Sequence, residues 1–117
     1  MDIIENQQAL EAAMKRENLL ILQFGAESCA PCSAIKDRIQ SWNRLHPMVG
    51  FCYLPTEKLP KVCAQMGVFT VPTLLLYVQG KLSIRQSGYF SLDQILQQAE
   101  KYEDLLLGEI KNPSDPS

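Results

Sequence analysis

No basic surplus marks this sequence: eleven lysines and arginines stand against thirteen aspartates and glutamates, a formal net charge of −2. That balance leaves no electrostatic footprint for nucleic acid or for an anionic membrane surface. Long apolar runs are also missing, and the longest falls far short of the ~20 residues that span a bilayer. The opening residues Met1-Asp2-Ile3-Ile4-Glu5-Asn6 lack the basic start and apolar stretch of a secretory signal. No glycine-rich phosphate loop and no paired catalytic carboxylates are present. The single histidine, His46, precedes Pro47 and reads as a helix-end residue near solvent rather than as a base. These absences point to the cytoplasm, where thiols are kept reduced and a close cysteine pair is catalytic or metal-binding rather than a structural bridge. What remains is one domain of 117 residues, 46% of them hydrophobic, enough to build a core.

Four cysteines are present, and two of them are close together in Cys29-Ala30-Pro31-Cys32. The flanks give this pair its context. Leu19-Leu20-Ile21-Leu22-Gln23-Phe24 precedes it, an apolar run of buried-strand length. Ile35, Ile39 and Trp42 follow at helical spacing. A dithiol at a strand-to-helix junction is the setting in which C-x-x-C reads as a redox motif.

The remaining elements follow from periodicity and breakers. Residues 3–16 read as a first helix, with Leu10, Ala13 and Met14 on its apolar face. The helix after the dithiol runs to about residue 45 and stops before Pro47. A strand follows at 49–54, then a short helix at 58–66 with Pro60 near its start and Gly67 as its stop. Strands at 74–78 and 82–87 flank Gln79-Gly80 as a hairpin. Ser91 caps a last helix carrying Leu92, Ile95, Leu96, Ala99 and Tyr102. Residues 109–117 read as a disordered tail, which leaves 1–108 as the folded domain. The order α-β-α-β-α-β-β-α implies an α/β fold: a mixed four-stranded sheet with helices on both faces. Strands joined through helices are expected to be parallel, and the closing hairpin antiparallel. Such sheets place ligands beyond the carboxyl ends of their strands, where the dithiol lies.

The element order, the Cys29-Ala30-Pro31-Cys32 loop and Val71-Pro72-Thr73-Leu74-Leu75-Leu76-Tyr77 together resemble the thioredoxin family over nearly the whole folded part. Pro60, Gly80 and Gly88 also match. Ser28 stands where the family usually has tryptophan, Ala30 where it has glycine, and Gln23 where it has a buried aspartate. Tyr53 replaces the lysine that usually neighbours that aspartate, so both charged partners are missing together, which avoids a buried charge without its partner. Asp37 takes the place of a kinking proline, so the second helix is expected to be straighter.

The resemblance implies the thioredoxin fold and a thiol–disulfide oxidoreductase that reduces protein disulfides. Its partner would be a flavoprotein of the thioredoxin-reductase type or another dithiol, and the protein itself would be a monomer with no cofactor and no metal. Cys29, at the start of a helix whose unpaired N–H groups favour a thiolate, is the expected attacking thiol, and Cys32 the resolving one. Glu27 opposes that ionisation weakly. Pro31 stiffens the loop between the sulfurs, and Ser28, Ala30 and Gln23 are expected to tune it. Val71 and Pro72, with a cis bond between them implied by the resemblance, would hold an extended substrate. Two other readings of the residues stand beside this one. The fold could serve a redox-sensing or binding protein without general reductase activity, or the pair could bind zinc with Cys52 and Cys63. Zinc sites favour a second close pair, and Cys52 and Cys63 read better as core residues.

Overall fold

The apolar run at 19–24 forms the central strand of the sheet, buried along its whole length as Leu19–Gly25 (β2). The computed structural model describes residues 1–111 of the chain, which form β1 (Asp2–Ile3), α1 (Gln7–Arg16), β2, α2 (Ala30–Leu45), β3 (Gly50–Pro55), a 3₁₀ turn (Thr56–Lys58), α3 (Pro60–Met66), β4 (Thr73–Val78), β5 (Lys81–Ser87) and α4 (Leu92–Lys111). Among these residues the sheet has the order β1-β3-β2-β4-β5. None of the helices described is long and apolar enough to cross a membrane.

Two expectations require correction. The sheet has five strands rather than four, because residues 2–3 pair with β3 in parallel instead of opening the first helix. Ile4 continues that attachment by donating its N–H to Tyr53 O at 2.9 Å, and it is buried. The helix begins only after Asn6, whose side chain accepts from Ala9 N at 2.8 Å. An edge strand of two residues is too short to show an alternating pattern.

The second correction concerns β4, which follows a helix yet runs antiparallel to β2. The connection from β3 to β4 consists of the 3₁₀ turn, the seven-residue α3 and residues 67–72. It returns the chain to the sheet near the end at which β3 left it. This brings the start of β4 to the end of β2, with Thr73 paired to Phe24. The expected site lies at that junction.

Alternation along β2 divides the core. Leu20, Leu22 and Phe24 pack with Leu10 of α1 and with Val62 and Cys63 of α3. Leu19 and Ile21 pack with Ile39 of α2 and with Ile95 and Leu96 of α4. Gly67 ends α3 in the left-handed region (φ 68°), with Val68 N donating to Cys63 O at 2.8 Å. Gln79 and Gly80 both take positive φ, the geometry a two-residue hairpin needs. Asp37 lies within α2, which continues unbroken over 16 residues. The last helix runs three residues past Gly108, and the rest of the expected tail, 112–117, lies outside the described residues.

Phe24 is completely buried between β2 and the α1/α3 layer. Phe24→Ala should lower stability by about 3–5 kcal/mol, read as a shift in the urea unfolding midpoint.

Candidate active site

The loop from β2 to α2 ends at Cys29, which is the N-cap residue of α2. Its carbonyl and its sulfur both face the N–H of Cys32, at 3.1 and 3.3 Å. Cys29 N in turn donates to Ala26 O at 3.1 Å, which closes the loop. Pro31 lies in the first helical turn, where a missing N–H removes no intrahelical bond. Cys29 and Cys32 form a disulfide with Cα atoms 5.3 Å apart. Their surroundings differ sharply. Cys29 is half-buried and open to the surface, while Cys32 is 0% exposed. Ser28, Ala30 and Pro31 around them are exposed.

Gln23 continues the alternation of β2 toward α2, and it is 0% exposed. Its Nε2 donates to Cys32 O at 2.7 Å, so the amide holds the first turn of α2 from below. Its Oε1 is buried without a hydrogen-bond partner among the described residues. Tyr53 pairs with Gln23 in the parallel register. The Tyr53 ring lies along the end of β2, so close that a Cβ at Gly25 would fall 2.4 Å from its hydroxyl. Burial raises the Tyr53 phenol above its ordinary range, with Glu57 and Glu27 adding to the effect. The Lys36 ammonium lies 4.8 Å from the ring centroid. A neutral amide thus sits beside a neutral phenol.

The Val71–Pro72 bond is cis. Pro72 is buried, and its carbonyl accepts from Gly88 N at 3.0 Å. Thr73 Oγ1 fixes the preceding turn by donating to Thr70 O at 2.7 Å. Val71 takes part in no backbone hydrogen bond among the described residues. The structure therefore brings Ser28, Cys29, Pro31, Val71 and Pro72 to one groove of about 580 Å³. Gln23 lies beneath it, behind Cys32.

Tyr89 and Phe90 form the far wall of this groove, and sequence reasoning did not single them out. Tyr89 is fully exposed, and Phe69, in the loop before Val71, is 81% exposed. The available signal was the aromatic pair directly after Gly88, which sequence alone cannot distinguish from core aromatics. Arg38 also lines the groove, and its guanidinium pairs with Asp93.

The other two cysteines lie in the opposite layer, Cys52 on β3 and Cys63 on α3, both buried. Burial, followed by the nearby Asp2 carboxylate, pushes the Cys52 thiol up to about 11. Burial also raises Cys63. Both thiols stay protonated near neutrality and are poor nucleophiles. No group of three or more metal-ligating side chains forms among the described residues. His46 is the C-cap residue of α2, as expected; it stacks on Trp42 at 4.4 Å, and its Nδ1 lies 2.7 Å from Glu103 Oε1 on α4.

The family model for thioredoxin matches residues 2–101. Thioredoxin-1 of Saccharomyces cerevisiae is 31% identical over 71 residues, covering 61% of this chain and 69% of that protein. Thioredoxin-2 of Pyricularia oryzae is 28% identical over 78 residues, or 67% of this chain, and the match spans only 46% of that longer relative. Among solved structures, the Plasmodium falciparum thioredoxin superposes with a TM-score of 0.78 at 22% identity, covering 87% of this chain and 99% of the other. A disulfide at a helix start, a cis proline beside it and a family match across the folded part agree: the chain belongs to the thioredoxin family and is a thiol–disulfide oxidoreductase.

Proposed function

We propose that this protein reduces protein disulfides, with Cys29 as the attacking thiol and Cys32 as the resolving thiol. The observation that carries this assignment is the unequal burial of the two sulfurs: Cys29 caps the helix at the edge of a groove, and Cys32 is sealed beneath it. In the reduced state the free N–H groups and positive dipole of the α2 terminus favour the Cys29 thiolate. That thiolate attacks a substrate disulfide and expels one substrate thiol, leaving a mixed disulfide on Cys29. Cys32 then attacks the Cys29 sulfur, releases the second substrate thiol and leaves Cys29–Cys32 oxidised. The two electrons come from the cysteine pair itself, so the reading calls on no cofactor and no metal.

Val71 and Pro72 are assigned to substrate binding. The free backbone groups of Val71 can pair with an extended segment laid across the groove, as one strand adds to another. Pro31 and Ala30 set the loop between the sulfurs, Ser28 leaves the groove open above Cys29, and Gln23 holds the resolving turn from inside. A flavoprotein of the thioredoxin-reductase type or another dithiol returns the electrons. The protein works as a single copy in the cytoplasm, where a reductant pool can keep the pair reduced.

Cys32→Ser leaves the attacking thiol in place and removes its resolving partner. This variant should accumulate long-lived mixed disulfides with an insulin-type substrate, visible as an adduct on a non-reducing gel and released by dithiothreitol. A variant that forms no adduct and still turns over would contradict the division of roles.

A further inference from the structure

The Gln23 amide is satisfied on one side only. Its Nε2 donates to Cys32 O at 2.7 Å, while its Oε1 is buried with no hydrogen-bond partner among the described residues. The residue is 0% exposed, so bulk water does not reach that oxygen. A buried carbonyl without a donor is rare and calls for a reason. Position narrows the choice of donor. Oε1 and Nε2 hang on one carbon, so the bond to Cys32 O holds Oε1 beside that same residue. Across the sheet, Gln23 is flanked by Leu74, which has no side-chain donor, and by Tyr53. The Tyr53 hydroxyl stands over Gly25, two residues further along β2.

The redox state of the cysteine pair supplies the reason. In the oxidised protein the Cys32 sulfur is bonded to Cys29 and carries no hydrogen. Reduction gives Cys32 an S–H donor, at a residue that is itself 0% exposed. A buried donor then arises next to a buried acceptor that had none. The Cys29 sulfur is the rival acceptor, and it already faces the Cys32 N–H at 3.3 Å.

We propose that Gln23 is a redox-linked positioning residue: its Oε1 accepts from the Cys32 thiol in the reduced protein and loses that bond when the disulfide forms. A reducing dithiol supplies two electrons and two protons and leaves as a disulfide. One proton stays on Cys32, facing Oε1, and the other leaves Cys29 for solvent as its thiolate forms. The Nε2 bond to Cys32 O is common to both states and cancels. The Oε1 bond exists in one state only, so it draws the equilibrium toward the dithiol and raises the reduction potential. An amide does not titrate near neutrality, so this contribution is independent of pH wherever Cys32 holds its proton. The inference rests on the role of Cys32 as the buried resolving thiol.

The test compares the reduction potentials of wild type and Gln23→Met, equilibrated in dithiothreitol buffers and trapped by alkylation. Methionine keeps the length of the side chain and removes both amide groups. The reduced form should lose about fivefold in its equilibrium with the disulfide, a shift of about 20 mV to more negative potential. That shift should be equal at pH 6 and pH 7. Gln23→Glu at pH 5, where the buried acid is protonated and keeps one donor and one acceptor, should restore the wild-type potential. Tyr53→Phe should leave the potential unchanged. In the wild type, the 13C resonance of the Gln23 side-chain carbonyl should move to higher shift on reduction, a readout that holds even if Gln23→Met folds poorly. An unchanged potential in Gln23→Met, with equal loss of stability in both redox states, makes the amide a structural tie only and overturns the inference. So does a carbonyl resonance that ignores reduction, or a Tyr53→Phe variant that reproduces the shift. If instead Cys32→Ser forms no mixed disulfide with insulin, the assignment of the two thiols fails, whatever the potentials.

Discussion

Cys29→Ser is expected to bring insulin reduction down to the uncatalysed rate, a loss of roughly a thousandfold or more. The thiolate is the species that attacks a disulfide, and a serine hydroxyl does not ionise near neutrality. No other cysteine can take over. Cys32 is completely buried, and Cys52 and Cys63 lie in the other layer of the core with their thiols raised by burial. The fold should survive the change, because Cys29 is a half-buried cap residue and serine is itself a good N-cap. Turnover of insulin and the melting temperature, measured on the same preparation, separate loss of chemistry from loss of structure. Full activity in this variant would end the assignment.

Gln23→Asp is the second large effect, and its direction can be worked out. The side chain sits in the core, and its neighbour on β3 is the neutral Tyr53 rather than a cation. An aspartate titrates near 3.9 in the unfolded chain, and burial without a partner raises that value in the folded chain. Between the two values the folded protein holds a proton that the unfolded protein has lost. Stability relative to wild type therefore falls as pH rises, by about 1.4 kcal/mol per unit. The protonated acid can still donate to Cys32 O, where Gln23 Nε2 now donates at 2.7 Å. The ionised form has no donor and leaves an uncompensated buried charge, a cost of about 3–5 kcal/mol. Urea midpoints of variant and wild type at pH 5 and pH 8 check this, and a gap that stays constant with pH would contradict it. An ionised carboxylate behind Cys32 could also accept its proton, so the resolving step or the reduction potential should shift and gain a pH dependence that the amide cannot supply.

Gln23 also shows what sequence could and could not reveal. Its place in an unbroken apolar strand marks it as buried, since Leu19 to Phe24 are apolar on both faces of the sheet apart from this one residue. That it bonds to the carbonyl of the resolving cysteine follows only from which face of β2 turns toward α2, a consequence of packing. The dithiol, the hairpin at Gln79-Gly80 and the stop at Gly67 were legible because each depends on local chain chemistry. The strand at Asp2–Ile3 was not, because pairing with β3 defines it and its own two residues carry no periodicity. The antiparallel return of β4 was not legible either, because the end at which a connection re-enters the sheet is set by packing rather than by residue type. Val71 and Pro72 were legible through the motif. Tyr89 and Phe90, which complete the groove, were not, because an aromatic in a loop looks the same in sequence whether it is buried or exposed.

The same geometry could donate disulfides or remove them, and the energy balance of the Cys29–Cys32 pair decides which. Its reduction potential, measured by equilibrating the protein in dithiothreitol or glutathione redox buffers and trapping thiols by alkylation, is therefore the most direct test of the proposed role as a reductase. A value of about −230 mV or lower is the predicted result, in the range of dithiols that the cytoplasm keeps reduced. A value near about −120 mV, that of a strong disulfide donor, would contradict it.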